Sequence, residues 1–511
     1  MNLNVGDGQY GNVTLTAQWT AKNYTITYVD GGGTMSGNYT TTYTIEDAIT
    51  LPNITKEGYH LETNNNWEVT VANDNWTLGD AYANGASINA GKFGDVTLTA
   101  NWIANTYTIN LVAGPGTISN VALHQDSVGL TVVSDSQLTA TYGQEGIFTC
   151  TFTNTGYKFN GWTNSGNGEV TDNHPRNNPT THVLNLTSTN GGTVTLTANY
   201  APITYEISYT PNGGSLEGTP DVDYTRHFTI ETTPITIATS IKQGYSGQWI
   251  ITGTSEGMNW NNGVPYSFGQ VITSSMHGDI VMSASWSANR YAITLDYNNG
   301  TSTTQTIYAK YESASLYASE QRTNNTYASI TPPTRTGYTF TGEWTLTAGG
   351  TDTLITSSTS AASAGTLAAD VADYTDSTSK WVRTEGVTLY AKWNVNRYAV
   401  TLNANDGTNN TQVIYAEYDS DVLYDDQTGD TPASIIHPNR PGYTLQCWTT
   451  GQSQGNSVID INDNLVANVN TYTDSNGKWV KDGATSLYAL WDGVSSGSGS
   501  GSGSGFSACV S

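Results

Sequence analysis

The chain has 511 residues, a net charge of −25 and only 18 Lys and Arg, so a phosphate backbone or an anionic membrane surface would repel it. Charged residues make up 12% and aromatics 11%, with 14 Trp and 32 Tyr, a composition that excludes a disordered chain. No stretch approaches the roughly 18 consecutive apolar residues of a membrane helix, so neither membrane insertion within this segment nor a nucleic-acid partner is expected.

Residues 1–20 read as one closing strand of a truncated repeat, with Val13, Leu15, Ala17 and Trp19 facing one way. The first residues lack the charged-then-apolar layout of a signal peptide, so the chain reads as a segment of a longer protein. Repeat one, residues 21–103, opens with Tyr24, Ile26 and Tyr28 and turns at Asp30-Gly31-Gly32-Gly33. A strand is predicted near residues 39–45, then one helical turn at Glu46-Asp47-Ala48 before Leu51-Pro52. Gly58-Tyr59 leads toward Trp67. Val96, Leu98, Ala100 and Trp102 alternate with Thr97, Thr99 and Asn101, the period of a half-buried strand.

The same order recurs over residues 104–201, 202–287, 288–394 and 395–492, so the chain is a tandem array of five repeats. The closing aromatics Trp19, Trp102, Tyr200, Trp286 and Trp393 each stand five residues before an opening tyrosine: Tyr24, Tyr107, Tyr205, Tyr291 and Tyr398. Trp491 closes the last repeat, and residues 493–511 form a Gly/Ser-rich flexible tail. An odd step would turn the apolar face over within one strand, so each junction should pass from one core into the next. Four intervening residues leave little slack, and neighbours should keep a preferred angle. The expectation is a mainly β chain, a linear beads-on-a-string rod of five small domains about 30 Å across and roughly 150 Å long.

Gly-Tyr pairs at 156–157, 244–245, 337–338 and 442–443 precede Trp162, Trp249, Trp344 and Trp448, a second set of core anchors. Insertions separate the repeats into two kinds. Trp76 and Trp260 stand 26 residues before the closing Trp, whereas Trp381 and Trp479 stand 12 before it. Repeats four and five also share Tyr374-Thr375-Asp376 and Tyr472-Thr473-Asp474, and Ala-rich residues 360–374 suggest a short helix. Repeat two carries extra loop sequence around residues 171–181.

The combination of Y-x-I-x-Y (Tyr24, Ile26, Tyr28), a Gly-rich turn (Gly31, Gly32, Gly33), Leu51-Pro52, G-Y-x-F-x-G-W (Gly156 to Trp162) and V-T-L-T-A-x-W (Val96 to Trp102) resembles the Listeria–Bacteroides repeat, the type of the internalin B-repeat. It spans nearly the whole chain. The resemblance implies α+β, β-grasp-like units in extracellular bacterial surface proteins, where such repeats serve as stalks or adhesive modules. Tyr200 in place of the closing Trp, and Cys447 before Trp448, depart from the pattern.

Chemistry is sparse. The histidines are scattered over the repeats, and no H-E-x-x-H, paired C-x-x-C or P-loop pattern appears. His124, His174 and His182 share repeat two and read as surface loop residues rather than metal ligands. Asp460, Asn462 and Asn464 copy the start of a calcium loop, but Leu465 and Thr471 stand where it needs Gly and Glu. Glu417, Asp419, Asp421, Asp425, Asp426 and Asp430 read as a solvated acidic face, with weak calcium binding as the alternative. Cys150 and Cys447 read as buried inert thiols, and Cys509 sits in the tail. Trp76, Trp260, Trp381 and Trp479 lie off the common positions and read as packing between loops, with possible ligand contact as the alternative.

The expected function is a non-enzymatic extracellular stalk or adhesin segment on a bacterial cell surface, without catalytic residues, metal or cofactor. The alternatives are a carbohydrate- or protein-binding array using variable loops, a self-assembling filament in which residues 1–20 pair with a neighbouring copy, and an accessory region of a larger enzyme. The partner is accordingly a surface glycan, a protein or another copy of the chain.

Overall fold

The fold is a computed structural model that describes residues 7–8, 11–62, 67–173 and 177–493. His174 and Cys509 lie outside them. Among the described residues every regular element is a strand and there is no helix. The helical part expected of a β-grasp-like unit is therefore absent. Glu46 and Asp47 lie in a turn and bend and Ala48 in irregular chain, held by Asp47, whose carboxylate accepts both the Thr44 N–H and its hydroxyl at 2.8 and 2.7 Å. Ala-rich residues 360–374 are bridge, short strand and turn rather than helix. Helix propensity loses to pairing there, because Ser363 exchanges backbone hydrogen bonds with Ile330.

One sheet motif recurs. The opening strand pairs parallel with the closing strand of its own repeat, placing Ile26 beside Val96, Ile109 beside Val194, Ile207 beside Ile280, Ile293 beside Val387 and Val400 beside Thr485. The strand that follows Gly-Tyr then pairs antiparallel with the other edge of the closing strand. Parallel neighbours need a long crossover, and the insertions fall inside it. Repeat two has a second, four-stranded sheet built on Thr117–Leu123, Gly146–Thr153, Thr180–Leu184 and Glu169–Asp172.

Five clusters of buried residues fill these sheets, and each draws only on residues between one opening tyrosine and the next closing aromatic. Trp102 packs on the first cluster and Tyr107 lies in the second, so the junction changes core within five residues. Cys150 is a buried free thiol, which burial pushes up to about 12. Cys447 is buried too but is disulfide-bonded, so the inert-thiol reading holds for Cys150 alone.

The closing aromatics sit at the rim of each core, half-buried, rather than within it. Their polar tips are anchored. The indole N–H of Trp102, Trp286, Trp393 and Trp491 donates to the carbonyl of Asp30, Pro211, Tyr297 and Ala404 at 2.8, 2.7, 3.0 and 2.9 Å. Tyr200 uses its hydroxyl on Ala113 O at 2.9 Å, so the substitution preserves the bond. The ring lies so close to the opening turn that a Cβ at Gly33 would come 2.6 Å from Trp102. By contrast, residues 11–23 form no strand. Val13, Leu15 and Trp19 are 65%, 67% and 92% exposed, because a lone strand has no ladder to join.

Candidate functional site

What recurs with most detail is the contact between successive repeats. Gly58 has φ +73°, and its carbonyl accepts the N–H of Asn105 at 2.9 Å. The Asn105 carbonyl in turn accepts the N–H of Tyr142, also at 2.9 Å. The Tyr142 ring meets Tyr59 edge-on at 5.9 Å and covers Gly58 so closely that a Cβ there would lie 2.0 Å away. The pattern repeats at Gly244, Asn289 and Tyr311, and at Gly337, Asn396 and Tyr418, with bonds of 2.9–3.0 Å. Between repeats two and three, Ile203 donates to Gly156 at 2.9 Å and Ile230 takes the place of the tyrosine ring. Glycine is required here by both the left-handed backbone and the neighbour's approach.

Side chains lock the same hinge. Ser246 and Thr339 donate their hydroxyls to Oδ1 of Asn289 and Asn396, each at 2.6 Å, and His60 Nδ1 lies 2.6 Å from Asn105 Oδ1. The phenol of Tyr157 donates to Glu231 at 2.9 Å, that of Tyr245 to Glu312 at 2.5 Å and that of Tyr338 to Asp419 at 3.5 Å. The bond to Glu312, then burial and the nearby carboxylate charge, push the Tyr245 phenol up to about 12. A cation covers a face of the Gly-Tyr ring in repeats one, three, four and five: Lys56 at 4.3 Å, Lys242 at 4.2 Å, Arg335 at 3.7 Å and Arg440 at 4.1 Å. The K/R-x-G-Y spacing behind this is the sequence signal for the contact. Arg290, buried, and Arg397, partly buried, stand at the start of their opening strands and carry no such sequence signal. Arg290 Nη1 donates to the carbonyls of Ser319, Gln321 and Asn324, and its guanidinium lies 3.8 Å from the Tyr317 ring. Arg397 stacks likewise on Tyr424 and pairs with Glu417 at 2.8 Å.

The four tryptophans weighed as possible ligand contacts are covered: Trp76, Trp260, Trp381 and Trp479 are at most 5% exposed and none offers a ring face to solvent. The indole N–H groups of Trp381 and Trp479 donate to the carbonyls two residues on, at 2.6 and 2.9 Å. Trp76 donates to the Tyr43 hydroxyl at 2.7 Å, which donates to Gly94 O at 2.5 Å. In repeat three Phe228 replaces that tyrosine, and Trp260 Nε1 is buried without a partner. Phe228→Tyr should therefore supply an acceptor for Trp260 and a donor to Gly278, the counterpart of Gly94. The expected gain is about 1–2 kcal/mol, or roughly 4–8 °C per kcal/mol in the midpoint of this repeat. Thermal unfolding checks it; an unchanged or lower midpoint would deny the missing bond.

The carboxylates of the acidic stretch are largely spoken for. Glu417 and Asp430 pair with Arg397, Asp419 with Lys478 at 3.4 Å, and Asp425 and Asp426 accept backbone N–H groups. Asp460 Oδ1 accepts the N–H of Asn462 and Asn464, each at 2.8 Å, as in an Asx turn. His124 and His182 each face a carboxylate, Asp126 and Glu145. Among the described residues no three His, Cys, Asp or Glu side chains converge as metal ligands, and no helix is long and apolar enough to cross a membrane.

Residues 24–101, 126–186 and 398–489 match the Listeria-Bacteroides repeat domain family. A protein of Evansella cellulosilytica whose name describes a Gly-rich membrane protein is 24% identical over 441 residues. That alignment takes in 85% of this chain but spans only 40% of the relative's length. The major pilin protein T-13 of Streptococcus pyogenes aligns over 35% of this chain and 96% of its own, at 12% identity and a TM-score of 0.12, a likeness that carries no argument.

Proposed function

The chain carries Listeria-Bacteroides repeat domains, and on that premise we propose that it is a non-enzymatic, extracellular spacer on a bacterial cell surface. In this reading the five buried clusters are the cores of five small domains in line, each grasp-like in its parallel first and last strands and without the helix. The carrying observation is the junction: a glycine carbonyl bonded by the linker, covered by a side chain of the next repeat, at four successive places. Such contacts resist bending because a tilt must break a hydrogen bond and uncover a packed ring together. Low lysine content and a net charge of −25 would keep neighbouring stalks apart.

Small-angle scattering tests the reading. A semi-rigid row about 150 Å long has a radius of gyration of roughly 43 Å, whereas a compact body of this length has about 24 Å. A value near the lower figure would end the spacer reading. A binding role gains support at one place only, in repeat five.

A further inference from the structure

Repeats four and five are close copies that differ at one edge. In repeat four the strand Thr353–Thr356 runs into a flap, residues 357–365, before Thr366–Leu367. The flap folds back over the domain. Ser363 donates its N–H to Ile330 O at 3.1 Å, and Ile330 donates to Ser363 O at 2.6 Å. At its root, the Ser357 hydroxyl accepts the indole N–H of Trp344 at 3.0 Å.

Repeat five has no flap. Ile459 bridges to Leu465, six residues on, where Ile355 pairs with Leu367, twelve on. The Asp460 turn replaces the excursion, closed by Asp460 N–H to Asn464 O at 2.8 Å. The segment the flap would cover is nevertheless retained. Gln305 staples Ser329 O and Thr331 N in repeat four, and Gln412 staples Ser434 O and Ile436 N in repeat five, which makes Ile435 the counterpart of Ile330. Ile435 has no backbone hydrogen bond among the described residues. Trp448, the counterpart of Trp344, is 2% exposed, and its Nε1 is buried with no acceptor. Trp448 also borders a cleft of about 340 Å³ together with Leu402, Gln412, Ile436, Pro438 and Asn439. From that segment to the short turn runs a half-exposed side-chain contact, His437 Nε2 to Asp463 Oδ1 at 2.8 Å.

We propose that this edge of repeat five binds an extended peptide of small and hydroxyl-bearing residues, supplied by another chain, in the place that residues 357–365 occupy in repeat four. The peptide pairs its backbone with the N–H and carbonyl of Ile435, as Ser363 does with Ile330, and offers an oxygen to Trp448 Nε1, as Ser357 does to Trp344. Strand addition at an unpaired edge supplies backbone affinity, and the indole selects a residue with an acceptor. Repeat four is closed to such a peptide because its own flap fills the place.

The test is to titrate the full chain with a synthetic peptide of residues 356–366, following the indole 1H–15N resonances. Two backbone hydrogen bonds at the half-exposed Ile435 and one to the buried Trp448 indole N–H lead us to expect a Kd on the order of 1 mM. The Trp448 indole signal should move and that of Trp344 should not. Trp448→Phe, which keeps the ring and removes the donor, should weaken binding about 10-fold. Replacing residues 460–464 with residues 356–366 of repeat four leaves Trp448 in place and should abolish binding through competition within the chain. A Trp448 signal unmoved at several millimolar peptide would overturn the proposal. So would equal affinity in the grafted chain, or a response to soluble glucan oligosaccharides in place of the peptide.

Discussion

Trp381→Ala should cost repeat four about 3–5 kcal/mol and leave the unfolding of the other four repeats where it was. Trp381 is fully buried in the cluster around Trp344 and Leu389, with Tyr374 edge-on at 6.0 Å. It also holds backbone: Glu312 N–H donates to Trp381 O at 2.8 Å, and Trp381 N–H donates to Ser313 O at 3.1 Å. Trp479 repeats the arrangement with Asp419 and Ser420 at 2.8 and 2.9 Å. The inserted tryptophan thus pins the turn that follows the junction tyrosine, and alanine leaves both a cavity and a loosened turn. A domain of this size is stable by only about 5–15 kcal/mol, so the loss separates its transition from the rest. Denaturant unfolding followed by tryptophan-specific probes in each repeat reads this directly. Were all five transitions to fall together, the clusters would form one cooperative body and the beads-on-a-string reading would be lost.

The repeat period, the strands and the two sets of aromatic anchors were legible because burial on one sheet face enforces a period of two, and tandem copies repeat the signal. The role of the closing ring was less so. Trp102 alternates like a core residue, yet its N–H bond to Asp30 spans 72 positions that no local pattern records. The junction was half legible. Gly-Tyr stands at a fixed place in every repeat, but its cover is Tyr142, Ile230, Tyr311 or Tyr418, and the change of residue type hides their common position. For Trp76, Trp260, Trp381 and Trp479 the sequence leaves ligand contact open beside packing because they lie outside the alternating strands. Burial by a returning loop leaves no periodic trace. The same loss of period concealed the flap of repeat four, whose alanines and serines favour a helix in isolation and serve as a strand partner for Ile330.

Gly337→Val and Gly442→Val make a matched pair whose difference isolates the junction. Both glycines have left-handed backbones, with φ of +77° and +80°, so a branched side chain strains each by roughly 1–2 kcal/mol or more. They differ in what the new Cβ meets. At Gly337 it would lie 2.1 Å from the Tyr418 ring, while at Gly442 nothing lies within 4 Å. Tyr418 cannot yield without leaving Tyr338, because its own N–H is held by Asn396 O at 3.0 Å and the Asn396 N–H by Gly337 O at 2.9 Å. Valine at 337 should therefore open the contact between repeats four and five, while valine at 442 should only lower the midpoint of repeat five. Spin labels on the two repeats report the outcome through their distance distribution. Gly337→Val should broaden it and Gly442→Val should leave it narrow. Equal distributions in both variants would mean that the packed tyrosine does not set the angle between neighbours, and the stiffness of the row would need another source.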